Sequence, residues 1–416
     1  MPTRITREFI EAIPKTDLHV HLDGSLRLNT LIELAQNGRI ELPSFTPEGL
    51  RELVFKERYA DLGEYLTGFA YTCAVLRGKE ALERVTFELA EDNLAEGVRY
   101  LEVRFAPQLL AHNDLTLEET IQAVTDGLER AKCAHNASEA VRSGADLPFE
   151  CGVIICAMRR FNKAMGLHYH QLLTALESAP KRDIYAMASL EMARVAVGLR
   201  DRVGLPIVGF DLAGEEAGYP AGYHREAYRF AHSHFLKKTV HAGEAYGPES
   251  IFQAITECHS NRIGHGTFIF ASEMVQDASV ESPETYTEQL VEYIASQRIT
   301  LEVCLTSSLQ TTPSIASVAE HPLGHMLEHA LSVSICTDNR LVSNTTVTDE
   351  LALVSTHLPV TPHQFRNLIL AGFKGSFYPG SCTAKRDFVR QVIRRYDALA
   401  EKMLGEDNGE APDQKA

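Results

Sequence analysis

The feature that most constrains this chain of 416 residues is the alternation of short apolar runs with longer segments of helical periodicity. Such alternation is typical of a parallel sheet whose strands are connected by helices. We predict strands at residues 17–21, 99–105, 151–157, 207–211, 239–241, 262–265, 300–304 and 332–337, and helices at residues 80–96, 115–133, 223–236 and 284–296. Eight strand–helix units favour an α/β fold of the closed (β/α)8 kind, the TIM barrel, over an open doubly wound sheet.

The residues after the first predicted strand weaken the open-sheet alternative further. A doubly wound sheet usually carries a glycine-rich phosphate-binding turn at this point. Here the first strand is followed by His-Leu-Asp-Gly-Ser, residues 21–25. In a barrel, functional residues lie at the carboxyl ends of the strands. We therefore expect the polar residues that end several apolar runs to meet on one face.

Composition and charge narrow the class of protein. The formal net charge of −16 argues against nucleic acid and anionic membranes as partners and is compatible with a small neutral or cationic ligand. No apolar stretch is long enough to span a bilayer, and residues 1–15 lack the apolar core of a secretory signal. The eight cysteines are dispersed without a C-x-x-C pair, so we predict a cytoplasmic protein without disulfides.

We expect one domain over residues 1–404, which begins with a helix and contains a further helix near residues 59–76. Residues 59–76 are apolar and aromatic on most turns, which fits either a buried helix or a hydrophobic lid over a pocket. Residues 405–416 are acidic and rich in helix breakers, so we predict a disordered tail. The sequence does not indicate an oligomeric state.

Several segments place a metal-binding side chain at the end of a predicted strand. His19 and His21 alternate along the first strand, so they face the same side. His241 is the last residue of the fifth predicted strand, and Asp338 follows the last strand. Taken alone, each pattern is more often structural. Together, three imidazoles and one carboxylate suit a single Zn²⁺ or another first-row divalent ion.

Further residues are suited to proton transfer. A bound Zn²⁺ lowers the pKa of a water molecule towards about 7 and so supplies hydroxide at neutral pH. His265 and Asp338 are candidates to orient and deprotonate that water, and Glu244 is a candidate general acid. A carboxyl group in the acid role requires a pKa raised by burial. These residues predict metal-assisted hydrolysis, with amide, ester, phosphoester and amidine substrates all open.

Two arginines near strand ends are assigned structural roles. Arg104 lies near the end of the second predicted strand, and Arg159 lies near the end of the third. A buried guanidinium needs a partner of opposite charge. We therefore predict that both arginines pair with carboxylates and take no part in catalysis.

Seven segments of the chain occur in the order seen in adenosine deaminases, within the metal-dependent amidohydrolase superfamily. They are PKTDLHVHLDGSL, EGVRYLEVRFAP, DLAGEE, TVHAGE, RIGHGT, LEVCLTSS and ICTDN. The resemblance extends over residues 14–344 and, more weakly, into the helices beyond. Any one of these motifs is modest evidence, whereas seven in register are highly specific. The chain therefore resembles this family over most of its length.

The resemblance implies a (β/α)8 barrel that carries one Zn²⁺, and it implies a role for each site residue. The metal ligands would be His19, His21, His241 and Asp338, and the substrate-binding residues would be Asp23, Gly214, Asn339 and His21. Glu244 resembles the residue that protonates N1 of the purine, and His265 resembles the residue that orients the attacking hydroxide. Gly214 looks like the backbone donor to N3, and Asp23 looks like the contact to the ribose 5′-hydroxyl. Residues 59–76 resemble the hydrophobic gate of the family.

The implied reaction is zinc-dependent hydrolytic deamination of adenosine and 2′-deoxyadenosine to inosine and 2′-deoxyinosine, with release of ammonia. One alternative is the same reaction on a 5′-modified adenosine such as aminodeoxyfutalosine of the menaquinone pathway. Free adenine is less favoured, because adenine deaminases tend to carry Glu in place of Asp23. An inactive binding protein on the same scaffold is disfavoured, since Glu244, His265 and all the ligands are retained.

Asn339 departs from the pattern of the family, in which many members carry an aspartate that contacts N7. An amide can donate a hydrogen bond to an unprotonated N7, whereas a carboxyl group does so only when protonated. We therefore expect the purine site to be retained and the substrate preference to differ from that of other members, with a small purine nucleoside as the partner and the preferred 5′ group left open by the sequence.

Overall fold

The computed structural model describes residues 5–405 and confirms the predicted parallel (β/α)8 barrel. All but one of the predicted apolar runs coincide with a strand, and residues 406–416 of the predicted tail lie outside the described part of the chain. The strands are β1 (Lys15–His21), β2 (Val98–Phe105), β3 (Glu150–Met158), β4 (Ile207–Ala213), β5 (Lys237–Lys238), β6 (His241–Ala242), β7 (Arg262–His265), β8 (Thr300–Val303) and β9 (Ser332–Ile335).

The fifth predicted strand, residues 239–241, is instead an interrupted strand made of β5 and β6. β5 pairs with β4, and β6 pairs with β7. The residues between them hold the two parts in line, because Thr239 N donates to Phe210 O at 3.0 Å and Gly264 N donates to Val240 O at 2.8 Å. This segment joins the sheet of β1 to β5 to the sheet of β6 to β9.

The first and last strands meet at the carboxyl end of the barrel. The backbone N–H of His21 donates to Asp338 O at 2.7 Å, and that of Asp338 donates to His19 O at 2.8 Å. Val20 and Asp338 thereby form a parallel bridge. Because the strands run parallel, their carboxyl ends share one face of the barrel. The bridge brings the first and last candidate ligands to the same place.

Helices occupy the connections between strands. They are α1 (Arg7–Ala12), α2 (Leu28–Gly38), α3 (Pro47–Leu53), α4 (Leu62–Leu66), α5 (Phe69–Val75), α6 (Lys79–Ala95), α7 (Pro107–Leu110), α8 (Leu117–Asn136), α9 (Glu139–Arg142), α10 (Leu167–Ala175), α11 (Lys181–Arg202), α12 (Arg225–Ser233), α13 (Pro248–Thr256), α14 (Pro283–Gln297), α15 (Leu305–Thr311), α16 (Leu323–Glu328), α17 (Val347–His357), α18 (Pro362–Gly375) and α19 (Cys382–Leu404). A capping box of Thr116 and Glu119 begins α8. Within residues 5–405, no helix combines the length and apolarity needed to cross a membrane.

Residues 59–76, expected as one helix, form the two short helices α4 and α5. The side chain of Asp61 accepts from Glu64 N and begins α4. α4 ends because the backbone N–H of Thr67 and its hydroxyl both bond to Glu64 O, at 3.0 and 2.6 Å. Such local bonds compete with the helical ladder. Gly68 then begins α5.

The interior of the barrel holds a network of buried charges. Arg104 pairs with Asp211 at 2.9 Å and with Glu302 at 2.7 Å. Arg262 pairs with the other oxygen of Glu302 at 2.6 Å and with Glu102 at 2.5 Å. All five side chains are buried. The prediction that Arg104 pairs with carboxylates is therefore confirmed. A buried charge is tolerated when it is paired in this way.

The prediction that Arg159 pairs with a carboxylate is wrong. Its guanidinium donates to the backbone carbonyls of Tyr219 and His241, each at 2.5 Å. Arginine presents several donors in a fixed fork, so it can serve carbonyl oxygens as well as carboxylates. Arg159 thus fixes the backbone at the start of β6, where a candidate ligand lies.

Candidate metal centre and active site

The structure brings the four predicted ligand side chains to one point. Nε2 of His241 lies 3.1 Å from Nε2 of His19 and 3.1 Å from Nε2 of His21. Oδ1 of Asp338 lies 3.4 Å from Nε2 of both His19 and His21. One ligand atom from each residue lies within 4.8 Å of the others. The ligands belong to β1, β6 and the segment after β9, so only the closed barrel assembles them.

Carboxylates behind two of the imidazoles set their tautomers. Nδ1 of His19 lies 2.9 Å from Glu302, and Nδ1 of His241 lies 3.1 Å from Asp211. Because the carboxylates accept, each Nδ1 carries the proton and each Nε2 presents a lone pair. The contact from Glu302 to His19 was not foreseen from the sequence, although Glu302 lies within the LEVCLTSS motif.

The arrangement of lone pairs fits a bound cation. Unprotonated nitrogens that face each other at 3.1 Å repel unless a positive charge lies between them. Tetrahedral zinc with bonds of about 2.0–2.1 Å to nitrogen places its ligands about 3.3 Å apart. The separations of 3.1 and 3.4 Å are close to that value. The donor set and its spacing thus suit a divalent metal ion.

His265 and Asp338 share an unusual backbone conformation. Their φ angles are 64° and 61°, in the left-handed region that residues with a Cβ rarely adopt. His265 is the last residue of β7, and Asp338 follows β9 closely. The hydroxyl of Ser307 donates to Oδ2 of Asp338 at 2.6 Å, which leaves Oδ1 directed at the imidazoles. The strained turns therefore aim both side chains at the same point.

Glu244 lies on a loop that a second glutamate holds in place. Buried Glu216 accepts from the backbone N–H groups of Gly243, Glu244 and Ala245 at 2.8, 3.0 and 2.6 Å. It also accepts from the hydroxyl of Ser250. This role was not foreseen from the sequence, although Glu216 is the last residue of the DLAGEE motif. The loop between β6 and α13 is therefore fixed by hydrogen bonds to a single carboxylate.

The environment of Glu244 favours its protonated form. Burial raises the pKa of Glu244 to about 8, and the negative charges of Asp338 and Glu216 add to this effect, while His241 opposes it. Nε2 of His265 lies 3.6 Å from the carboxyl group of Glu244. Burial lowers the pKa of His265 well below its usual value, so its imidazole is neutral. Both ring nitrogens of His265 lack a hydrogen-bond partner within the described chain.

Gly214 follows β4 on the same face of the barrel. Its φ of +92° is favourable only for glycine. A Cβ on this residue would also lie 3.0 Å from Cε of Met158. Both facts fit a position where the main chain approaches a ligand closely.

Asp23 lies in the loop between β1 and α2 and does not cap that helix. The N-cap of α2 is Arg27, which makes no side-chain cap hydrogen bond, so the Asp-Gly-Ser segment that precedes it does not supply the cap. Asp23 is buried, and its Oδ1 has no hydrogen-bond partner among residues 5–405. Burial raises the pKa of Asp23 to about 6. The thiol of Cys73, in α5, lies 3.8 Å from Oδ2.

Asn339 lies next to Asp338 and is buried. Its Nδ2 is 2.8 Å from the hydroxyl of Tyr65, in α4. Its Oδ1 has no partner within residues 5–405 and packs against Gly24, where an added Cβ would lie 1.8 Å away. The sequence placed Tyr65 only in an apolar segment and did not reveal this contact.

The grouping combines a cation site, an acid and a neutral imidazole. Ligand atoms of Glu244, His265 and Asp338 also lie within 4.8 Å of one another. A protonated carboxyl group can give a proton, and a neutral imidazole can accept one. The face of the barrel thus holds the groups required for metal-assisted hydrolysis.

Known proteins resemble this chain over most of its length. A family model described as adenosine deaminase matches residues 14–394. The chain is 34% identical over 405 residues to an adenosine deaminase of Mycobacterium sp. (strain JLS), a match that covers 96% of this chain and 100% of the relative. It is 31% identical over 393 residues to a probable adenosine deaminase of Dictyostelium discoideum. That match covers 94% of this chain and 44% of the longer relative.

Solved structures share the fold. An amidohydrolase from Burkholderia ambifaria with bound Zn matches with a TM-score of 0.73 and 20% identity, covering 98% of this chain and 99% of that chain. An Arabidopsis N6-mAMP deaminase matches with a TM-score of 0.68 and 25% identity, covering 94% and 99%. With a family model that matches most of its length and a relative 34% identical across its whole chain, this protein belongs to the adenosine deaminase family of hydrolytic deaminases.

Proposed function

We propose that this protein deaminates adenosine and 2′-deoxyadenosine in a zinc-dependent hydrolysis that yields inosine or 2′-deoxyinosine and ammonia. The observation that carries the proposal is the convergence of Glu244, His265 and Asp338 beside three imidazoles. Addition of hydroxide to a ring carbon needs a cation, an acid and an orienting base close together. The curated relatives named adenosine deaminase support the choice of substrate.

His19, His21, His241 and Asp338 would hold one Zn²⁺. When bound there, zinc would lower the pKa of a water molecule to about 7 and so make hydroxide available at neutral pH. Imidazole and carboxylate ligands suit zinc, and the absence of thiolates among these four residues agrees with a catalytic site. The bound Zn of the Burkholderia amidohydrolase supports the same metal.

Glu244 would act as the general acid of the reaction, and His265 would orient the attacking hydroxide. His265 accepts a hydrogen bond from the attacking hydroxide and directs it at C6, while Glu244 gives its proton to N1. The new C6–O bond and the N1–H bond end the aromaticity of the ring. The proton on the new oxygen then passes to the amine, the C6–N bond breaks and ammonia leaves. The proton lost by the water, relayed through Asp338 or His265, returns to Glu244.

Residues around the centre would recognise the nucleoside. Gly214 would offer its backbone N–H to N3, and Asn339 would donate to N7. Asp23 would accept from the 5′-hydroxyl through its unpartnered oxygen, and His21 would border the base. A buried carboxylate repels a 5′-phosphate. Asp23 therefore favours a nucleoside over N6-mAMP, the nucleotide in the name of the Arabidopsis deaminase.

The test is an assay of ammonia release and of ultraviolet absorbance with zinc-loaded protein. Adenosine, 2′-deoxyadenosine, aminodeoxyfutalosine and adenine are compared at several concentrations, with and without a chelator. We expect the highest kcat/KM for adenosine and 2′-deoxyadenosine, loss of activity with chelator and recovery with added Zn²⁺. A higher kcat/KM for aminodeoxyfutalosine would favour the 5′-modified alternative. Absence of ammonia from every 6-aminopurine nucleoside would overturn the proposal.

A further inference from the structure

The hydroxyl of Tyr65 makes a buried contact that the function above does not use. Tyr65 belongs to α4, and only 1% of the residue is exposed. Its oxygen lies 2.8 Å from Nδ2 of Asn339 and 2.9 Å from Oγ of Ser343. The segment of residues 59–76 therefore reaches the residue beside the metal site through one hydroxyl group.

The amide of Asn339 can adopt either of two orientations in this contact. The nitrogen and oxygen of an amide are assigned from their partners, so a turn of the amide exchanges them. With Nδ2 towards Tyr65, Oδ1 remains a buried acceptor without a partner in the described chain. With Oδ1 towards Tyr65, the phenol donates to it, and Nδ2 occupies the unpartnered position. The tyrosine hydroxyl can serve both orientations, because it donates and accepts.

We infer that Tyr65 is a positioning residue, which holds the amide of Asn339 so that Nδ2 donates to N7 of the purine. The inference rests on the proposed purine nucleoside site. In this arrangement the hydroxyl of Ser343 donates to Tyr65, and Tyr65 donates to Oδ1 of Asn339. Each group in such a chain polarises the next, which strengthens the last donor. An amide held in this way donates to N7 without the protonation that a carboxyl group would need.

The arrangement links two parts of the site that are far apart in the sequence. Tyr65 lies in a segment that contacts the site from outside the barrel strands, whereas Asn339 follows the last strand. Packing of α4 against the barrel therefore places the hydroxyl that supports Asn339 when its Nδ2 faces the base. A purine that lacks N7 should gain nothing from this alignment.

The experiment compares kcat/KM for adenosine and for 7-deazaadenosine, which has carbon in place of N7. Wild-type protein should prefer adenosine. Tyr65→Phe should reduce that preference by about tenfold, the effect of losing one buried hydrogen bond of about 1.4 kcal/mol. It should change kcat/KM for 7-deazaadenosine little. Tyr71→Phe, which removes the hydroxyl of a half-buried tyrosine in the same segment, should leave the preference unchanged.

Asn339→Ala provides the second arm of a double-mutant cycle. It should abolish the preference for adenosine, and addition of Tyr65→Phe should then cause no further change in the ratio of the two constants. Thermal unfolding of each variant shows whether it is folded. If Tyr65→Phe does not fold, Ser343→Ala removes the donor to Tyr65 and should shift the preference in the same direction by a smaller factor.

The outcomes separate this inference from the proposed function. Wild-type protein that deaminates no 6-aminopurine nucleoside would overturn both. Active wild-type protein whose preference for adenosine is unaffected by Tyr65→Phe, or by Ser343→Ala in its place, would overturn the positioning role alone. An equal fall in kcat/KM for both substrates would assign Tyr65 a structural role and would overturn it as well.

Discussion

The interior of the barrel and its carboxyl-terminal face both bury polar side chains, but the two regions satisfy them differently. In the interior, Arg104 and Arg262 each pair with two carboxylates. On the face, Asp23, His265 and Asn339 each keep a buried polar atom without a hydrogen-bond partner among residues 5–405. The first arrangement compensates the buried charges, and the second leaves groups available to a ligand.

The difference has an energetic reason. A buried polar group without a partner costs about 1–3 kcal/mol. The barrel interior avoids this cost for its carboxylates by crossed ion pairs, since Glu302 contacts both arginines and also His19. The carboxyl-terminal face contains several buried polar atoms without a partner among residues 5–405, and a bound purine nucleoside would supply their missing hydrogen bonds. Variants that alter one region should therefore affect stability or activity selectively.

Glu244→Gln should have the largest effect, and it should act on activity. The amide keeps the shape of the carboxyl group but cannot act as the acid that protonates N1. We expect kcat to fall by about 10²–10⁴-fold, with unchanged metal content measured by atomic emission and an unchanged melting temperature. Glu273→Gln alters an exposed carboxylate and should leave kcat as in the wild type. Full activity of Glu244→Gln would remove this residue from its role.

Arg262→Met should act on stability. The guanidinium pairs with Glu102 and Glu302 and lies 3.6 Å from the ring centroid of Phe377, so its loss leaves two buried carboxylates less compensated. We expect the free energy of unfolding to fall by about 3–5 kcal/mol in chemical denaturation.

Arg130→Met is the matched control for Arg262→Met. Arg130 also pairs with a glutamate, Glu83, and lies 4.1 Å from the ring centroid of Phe87, but it is about half exposed. Exposed pairs contribute about 0–1 kcal/mol, so the expected loss is small. Equal losses in Arg130→Met and Arg262→Met would contradict the distinction between interior and surface charges.

Glu350→Gln tests a buried carboxyl group that has hydrogen bonds but no cationic partner within residues 5–405. Glu350 accepts from Leu305 N and from the hydroxyl of Thr345, each at 2.8 Å, and burial raises its pKa from 4.5 to about 7. The folded state therefore binds this proton more tightly than the unfolded state. The resulting stability is present below pH 4.5 and is lost as the pH rises to about 7.

The loss attributed to Glu350 should be about 3 kcal/mol, from 1.36 kcal/mol for each unit of pKa. Urea denaturation at intervals from pH 4.5 to 7.5 measures the free energy of unfolding. Over this range it should fall by about 3 kcal/mol less for Glu350→Gln than for the wild type. Glu292→Gln, which alters an exposed carboxylate, should retain the wild-type decline. Parallel pH profiles for wild type and Glu350→Gln would show that this carboxyl group titrates alike in the folded and unfolded states.

Much of the site followed from the sequence because short motifs end the strands. His19, His21, His241 and Asp338 converge as expected, because parallel strands present their carboxyl ends on one face. The fifth strand was less predictable. It is interrupted between β5 and β6, and a run of so few residues gives no periodicity from which a break could be read.

The helix expected at residues 59–76 shows a different limit of sequence reasoning. Apolar composition indicated burial, but the competition of Thr67 for the carbonyl of Glu64 ends the first helix early. The contact from Tyr65 to Asn339 could not be foreseen either. The two residues are 274 positions apart, and neither periodicity nor spacing connects them.

The sequence by itself determined the kind of fold, the residues with the chemistry of a metal-dependent hydrolase and the family to which the chain belongs. Only the tertiary structure decided which carboxylates contact His19 and His241, that Glu216 fixes the loop of Glu244, and that Asp23 is not the N-cap of α2. The physical reason is that residue type and periodicity are local, whereas hydrogen bonds, burial and the resulting pKa shifts depend on neighbours from distant parts of the chain.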